Sequence, residues 1–184
     1  NITAAGTLTE GTLVVARNCA DSTNATVNGV TFVAGTGPGA SNADGTAFAW
    51  YSIDTGDADL NEMFSSHNYQ AGGFSFQVTG LTIGNIHKLQ IWTVADNRSC
   101  CNTREQRYGD GEPTQSYSAW MRRDSGGAVV GEFVANATTQ TITVSGATDP
   151  GLSGFQVRDL GPSSDTDGDG LPDLWEQLII NYNP

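Results

Sequence analysis

Ala25-Thr26-Val27-Asn28-Gly29-Val30-Thr31-Phe32-Val33 is the stretch that decides the fold class. Asn-Gly between β-branched residues is the favoured two-residue hairpin turn, because both central positions need positive φ. The same grammar recurs along the chain. Phe74, Phe76 and Val78 alternate with polar residues, which marks a strand with one buried face. Further strands are expected at residues 13–17, 48–53, 89–95, 116–123, 128–134, 139–144 and 155–160. Roughly ten short strands at this spacing predict an all-β protein, an antiparallel β-sandwich of jelly-roll or Ig-like type. One helix is expected in the body, over 57–66, where Asp57 and Asp59 precede Leu60, Met63 and Phe64 at helical spacing. The Gly/Ala/Ser/Asn-rich stretch 34–44 reads as a loop, and 97–114 as an ordered excursion at one end of the sandwich.

Composition agrees. The chain has 184 residues, 23 of them Gly, and a single Lys, Lys88, so turns and strands are favoured over helices. A formal charge of -12 argues against nucleic acid or an anionic membrane as partner, since both demand a basic face. No apolar run reaches membrane-spanning length, so membrane insertion is not expected. The start at Asn1, without Met, reads as a mature secreted product or a trimmed segment. Three cysteines in an oxidising compartment predict that Cys19 pairs with Cys100 or Cys101, leaving one thiol over.

The most specific motif lies at the other end. Asp165-Thr166-Asp167-Gly168-Asp169-Gly170-Leu171-Pro172-Asp173-Leu174-Trp175-Glu176 is a twelve-residue calcium-loop pattern. Alternate carboxylates point inward, Gly170 allows the sharp bend, Leu171 offers its carbonyl, and Glu176 closes the sphere with two oxygens. The expected metal ligands for Ca²⁺ are Asp165, Asp167, Asp169, Leu171, Asp173 and Glu176, with Asp173 acting through water. An apolar stripe over 174–180 should start a helix in the last turn of the loop. No helix precedes the loop, which makes it half of an EF-hand. The expected division is a sandwich over 1–160, then linker, calcium half-hand and short helix over 161–184.

Two resemblances follow from these motifs. The loop resembles the calcium repeats of thrombospondin type 3 and the half-hands of secreted bacterial multidomain proteins. There, similar tails follow β-sandwich modules, including carbohydrate-binding ones. The segment Val78-Thr-Gly80-Leu81-Thr-Ile83-Gly84-Asn-Ile-His87-Lys-Leu89-Gln-Ile91 resembles the corner of fibronectin-type sandwiches, with His87 where those have a tyrosine. Both imply an extracellular sandwich module.

Catalytic machinery is harder to find. Neither His67 nor His87 stands in a metal or catalytic spacing; His87 reads as a corner hydrogen-bonder and His67 as solvent-exposed. Asp54, Asp57, Asp59 and Glu62 form an acidic cluster, read as helix-start acids in preference to a second calcium site or a hydrolase carboxylate pair. No nucleophile elbow or phosphate loop occurs. The aromatic residues point to a ligand. Trp50, Tyr51, Trp92, Tyr108, Tyr117 and Trp120, with Arg122, are candidate sugar-stacking and hydroxyl-binding residues. Trp92, on the face of Gln90 and Val94, is expected either exposed or lining a second core.

The sequence therefore predicts a secreted, non-catalytic, calcium-binding β-sandwich that recognises polysaccharide or glycan within a larger extracellular protein. The alternative is a structural subunit of a surface filament, layer or adhesin, self-associating through an N-terminal strand. A polysaccharide hydrolase or lyase using the 54–62 acids is the third reading.

Overall fold

The computed structural model describes residues 2–35, 42–44 (backbone only), 54–111, 116–124 and 126–164. The expected strand 48–53, Trp50 and Tyr51, the calcium loop 165–176 and the helix from 174 lie outside the described residues. Among them the order is β1 (Thr12–Cys19), β2 (Ala25–Val27), β3 (Val30–Gly35), β4 (Asn42–Asp44), α1 (Ala58–Phe64) and β5 (His67–Tyr69). Then follow β6 (Phe74–Thr79), β7 (Asn85–Thr93), β8 (Glu105–Gly109), β9 (Met121–Arg122), β10 (Ala128–Val134), β11 (Thr139–Gly146) and β12 (Gly151–Pro162).

Two sheets form a β-sandwich, as the alternation patterns require. The larger runs β10-β7-β12-β1-β3-β2, with β5 beside the start of β12 and β4 beside β5; the smaller runs β6-β11-β8-β9. The expected all-antiparallel pairing is corrected at one place. β3 lies parallel to β1, with Arg17 opposite Val33. The reason is the Asn28-Gly29 hairpin: φ of 49° and 76° turns the chain tightly, and its second strand, not its first, is laid against β1. The expected strand over 116–123 shrinks to β9 and a single bridge at Tyr117, and the expected loop 34–44 contains β4.

β12 carries the fold. It lies between β7 and β1, and Gly151 through Arg158 are all buried. Its inner face gives Phe155 and Val157 to a core shared with Phe76, Leu89, Ile91, Ile142 and Val144 of both sheets. Phe76 and Phe155 meet with ring centroids 5.0 Å apart. Burying each such side chain contributes about 1.5–3 kcal/mol. Its outer face is covered too. There, Trp92, Phe32, Leu60, Met63 and Phe64 form a second cluster beneath α1 and the β2–β3 hairpin. Gly154 permits that approach, since a Cβ there would stand 2.7 Å from Met63 Cε and 2.9 Å from the Arg17 carbonyl oxygen.

The 54–62 acids hold this helix in place, as the helix-start reading expects. Asp57 caps the Leu60 amide at 2.9 Å, Asp59 accepts from the Thr26 amide at 2.6 Å, and Asp54 accepts from Gly56 at 2.9 Å. Glu62 accepts from the Thr23 hydroxyl.

The remaining part of the outer face is covered by residues 6–11, held by buried side chains. Gln90 Oε1 accepts from the Leu8 amide at 3.0 Å, and its Nε2 donates to the Gly6 carbonyl at 2.8 Å. Gln156 Nε2 donates to the Leu8 carbonyl at 3.1 Å and to Gln90 Oε1 at 2.8 Å. Arg158 donates to the carbonyls of Thr9, Glu10 and Gly11. A guanidinium saturating three carbonyls satisfies backbone groups that no strand partner reaches. Residues 6–11 of the N-terminal segment form no strand in this molecule. They are tied to their own sheet, and β1 already has a neighbour on each side.

The cysteine pairing is also corrected. Cys100 and Cys101 are bonded to each other. Cys19 is reduced and fully buried in the inter-sheet core. Its side chain faces the Phe155 core, where burial pushes the thiol up to about 12 and keeps it unreactive. The final strand runs two residues past the expected boundary at 160, and Ser163 then donates its amide to Gly84 at 3.1 Å.

Residues 6–11, a strap across the outer face, supply a direct test. Arg158→Met should cost about 3 kcal/mol in chemical denaturation, because the three carbonyls lose a charged donor. Amide exchange at Leu8 should accelerate with it. Unchanged exchange at Leu8 would mean that the strap is held by something else.

Candidate functional site

The smaller sheet presents one face to the core and one outward, and the sequence assigns them by parity. Phe74, Phe76 and Val78 of β6, Ile142 and Val144 of β11, and Gln106 and Tyr108 of β8 face in. Ser75, Gln77, Thr141, Thr143, Ser145, Glu105 and Arg107 therefore face out. Ser75 and Thr143 are cross-strand partners on that face, their hydroxyls 3.4 Å apart.

At the β8 end of this face stand two exposed rings. Tyr117 is 37% exposed and Trp120 49% exposed, values that a folding core does not call for. Arg107 Cζ lies 3.8 Å from the Tyr117 ring centroid and 4.5 Å from that of Trp120, a cation–π cluster of one guanidinium and two rings. Arg107 Nε makes no hydrogen bond among the described residues. The rings are held by the backbone. Gly109 bridges to Tyr117, Ser118 donates its amide to the Tyr108 carbonyl at 2.8 Å, and Tyr108 donates its own amide to the Ser118 hydroxyl at 3.1 Å.

Behind Tyr117 the two sheets part between β10 and β8. The gap is a cleft of about 410 Å³ with Leu89, Ile91, Tyr108 and Ile142 at its floor and Val129 to Phe133, Asp110, Ser116, Tyr117 and Gln140 around it. Gln140 Nε2 donates to the Asp110 carbonyl at 2.6 Å, and the Ser116 amide donates to the Asp110 carboxylate at 3.2 Å. Among the described residues β10 pairs with β7 on one side only, and residues of β10 line the cleft.

Of the expected ligand residues, Tyr117 and Trp120 come together here. Arg122 stands half-exposed on β9, its guanidinium 2.9 Å from the Asp124 carboxylate. Two expectations are corrected. Trp92 is 1% exposed, packed edge-to-face on Phe32 with centroids 4.8 Å apart, and so lines the second core and cannot stack on a ligand. Tyr108 is buried; its hydroxyl donates to the Gly151 carbonyl at 2.7 Å and accepts from Gln106 at 3.0 Å, so it supports the cleft from beneath. Sequence reasoning does not identify Arg107 as the residue joining the two rings. The signal was the odd-numbered spacing of Glu105 and Arg107 against Gln106 and Tyr108.

The histidines divide. His87 is buried at the β6–β7 corner, where Nδ1 donates to the Asn85 carbonyl at 3.1 Å and Nε2 accepts from the Thr82 amide at 3.4 Å. That matches the corner role expected of it. His67, expected at the surface, is instead buried, because β5 tucks it against β12 near Arg123 and Asp96. Burial and the nearby Arg123 charge hold it down to about 3, so it is neutral at physiological pH. Among the described residues no group of three or more His, Cys, Asp or Glu is placed to hold a metal ion. None of their helices is long and apolar enough to cross a membrane.

No protein-family model matches this chain, and no curated protein does at the level of sequence. Solved structures match in fold. A calcium-binding mutant of Bacteroides uniformis β-glucuronidase 2 superposes with TM-score 0.57 at 12% identity, over 79% of this chain and 18% of that one. The plant receptor-like kinase ANX1 gives 0.59 at 8% identity, over 80% and 48%. The ANX1 ectodomain from Arabidopsis thaliana gives 0.56 at 9%. The chain thus spans less than a fifth of the glucuronidase chain and about half of the receptor chains. At these identities the likeness shows the sandwich fold.

Buried neutral His67 makes stability depend on pH. Its folded value lies below the unfolded one near 6.5, so the unfolded chain binds the proton first and stability falls as pH drops below about 6.5. The loss should approach about 1.4 kcal/mol per pH unit below that, ending at the folded value of about 3. Denaturant melts at pH 7, 6 and 5 check this, and His67→Gln should flatten the slope over that window. An equally steep slope in the variant would assign the effect elsewhere.

Proposed function

We propose that this chain is a secreted, non-catalytic carbohydrate-recognition module of a larger protein. The observation that carries the reading is the pair of exposed rings, Tyr117 and Trp120, fixed by Arg107 at the mouth of a cleft of about 410 Å³. Sugar rings present flat C–H faces to aromatic rings and hydroxyls to side-chain donors and acceptors, and an aromatic platform beside a polar sheet face offers both. One fold neighbour is part of a β-glucuronidase, an enzyme named for carbohydrate chemistry. Non-catalytic action is supported by the engagement of Asp54, Asp57, Asp59 and Glu62 with helix and hairpin, which leaves that acid cluster a structural task.

Calcium belongs to the proposal through its sequence. The loop Asp165–Glu176 has the donor types and the Gly170 bend that a hard cation needs. Because the loop follows the final strand closely in sequence, we read it as a clamp on that end of the sandwich. One of the fold neighbours is likewise named as a calcium-binding mutant.

Two measurements test the reading. On a polysaccharide and glycan array the protein should bind a defined subset. Trp120→Ala and Tyr117→Ala should each weaken that binding by about tenfold, roughly 1.4 kcal/mol, with little change in melting temperature. Absence of binding across plant, algal and bacterial polymers would remove the proposal. Separately, calcium chelation should lower the melting temperature and increase protease cleavage near Ser164 while leaving the sandwich folded. No change in either would contradict the clamp.

A further inference from the structure

The charge arrangement around the site allows its ligand class to be narrowed, and this step rests on the carbohydrate reading above. We propose that the glycan recognised at the Tyr117–Trp120 face is neutral, and that uronate- or sulfate-bearing glycans are excluded.

An anionic sugar needs an available cation with open hydrogen-bonding edges. The chain has eight Lys and Arg in all. Five face carboxylates. Lys88 lies 2.8 Å from Glu132, Arg98 2.6 Å from Asp96, Arg104 2.5 Å from Asp149, Arg122 2.9 Å from Asp124, and Arg123 3.6 Å from Asp149. Arg158 is saturated by the strap carbonyls. Arg17 is exposed but lines a separate opening beside Gln77 and Phe155, on the β6 side of the sandwich. That leaves Arg107, a single cation whose guanidinium face is taken by the two rings and whose charge is outnumbered by the cleft carboxylates Asp110 and Glu132.

The groups that do border the site suit hydroxyls. Next to β8, the outward face of β11 carries Thr141, Thr143 and Ser145, an uncharged row able both to donate and to accept. At the cleft the charged groups are Asp110 and Glu132. Ionised carboxylates only accept, so they bind sugar hydroxyls and repel sugar carboxylates or sulfates. A net charge of -12 adds a long-range field of the same sign against polyanions.

The test is binding of the wild-type protein to matched panels, measured at about 50 mM and 500 mM NaCl. One panel holds neutral polymers such as β-glucan, mannan, xylan and galactan. The other holds homogalacturonan, alginate and a sulfated galactan. Neutral ligands should bind with affinity that changes less than about twofold with salt, since no ion pair is formed. Anionic polymers should bind at least about tenfold more weakly at 50 mM NaCl. Binding of an anionic polymer as tightly as any neutral one would overturn the neutral assignment while leaving the site as a carbohydrate site. Binding of neither panel would remove the site itself and this inference with it.

Discussion

The constraint on which the rest of the structure depends is the double-sided burial of β12. A strand buried on both faces must be apolar toward each core or must have every polar group satisfied. β12 meets the first condition on its inner face, through Phe155 and Val157, and the second on its outer face, through Gln156 and Arg158. The two solutions have different consequences. The apolar face holds the small sheet against the large one. The polar face recruits residues 6–11 and fixes the start of the chain across a sheet surface that would otherwise be wet.

The candidate site follows from what that arrangement leaves uncovered. The large sheet has α1, the β2–β3 hairpin and the strap over its outer face, so its aromatic residue Trp92 is consumed by packing. The small sheet has no such cover among the described residues, and its outward side chains are short hydroxyls and an amide. Among the described residues, large exposed rings stand on that side, held there by backbone contacts to β8 and by Arg107. The burial that makes Trp92 and Tyr108 unavailable is therefore the same burial that gives Tyr117 and Trp120 a rigid support.

Much of the fold was legible in the sequence because strand alternation and the Asn28-Gly29 turn are local signals. β1, β3, β6, β7, β10, β11 and the Asp57-capped helix all appear where patterning puts them. The parallel β1–β3 pair was not legible, since a turn fixes the hairpin but not which of its strands meets a third. His67 was misread for a similar reason: a Ser-Ser-His-Asn-Tyr stretch is polar, and only pairing with β12 shows that it is enclosed. The Cys19 pairing failed because loop proximity in sequence says nothing about which core a side chain enters. For the site, composition identified aromatic residues as the informative class but could not separate core rings from exposed ones. That separation needs the sheet register, which places Trp92 inside and leaves Tyr117 and Trp120 outside.

The most direct measurement of the central claim, that the open β10–β8 side of the sandwich is the ligand face, is amide and indole chemical-shift mapping with a bound oligosaccharide. The account predicts perturbations concentrated at Tyr117, Ser118, the Trp120 indole and residues 129–133, with Arg17 and Gln77 unmoved. Perturbations centred on Arg17 and Gln77, with Trp120 unaffected, would contradict it.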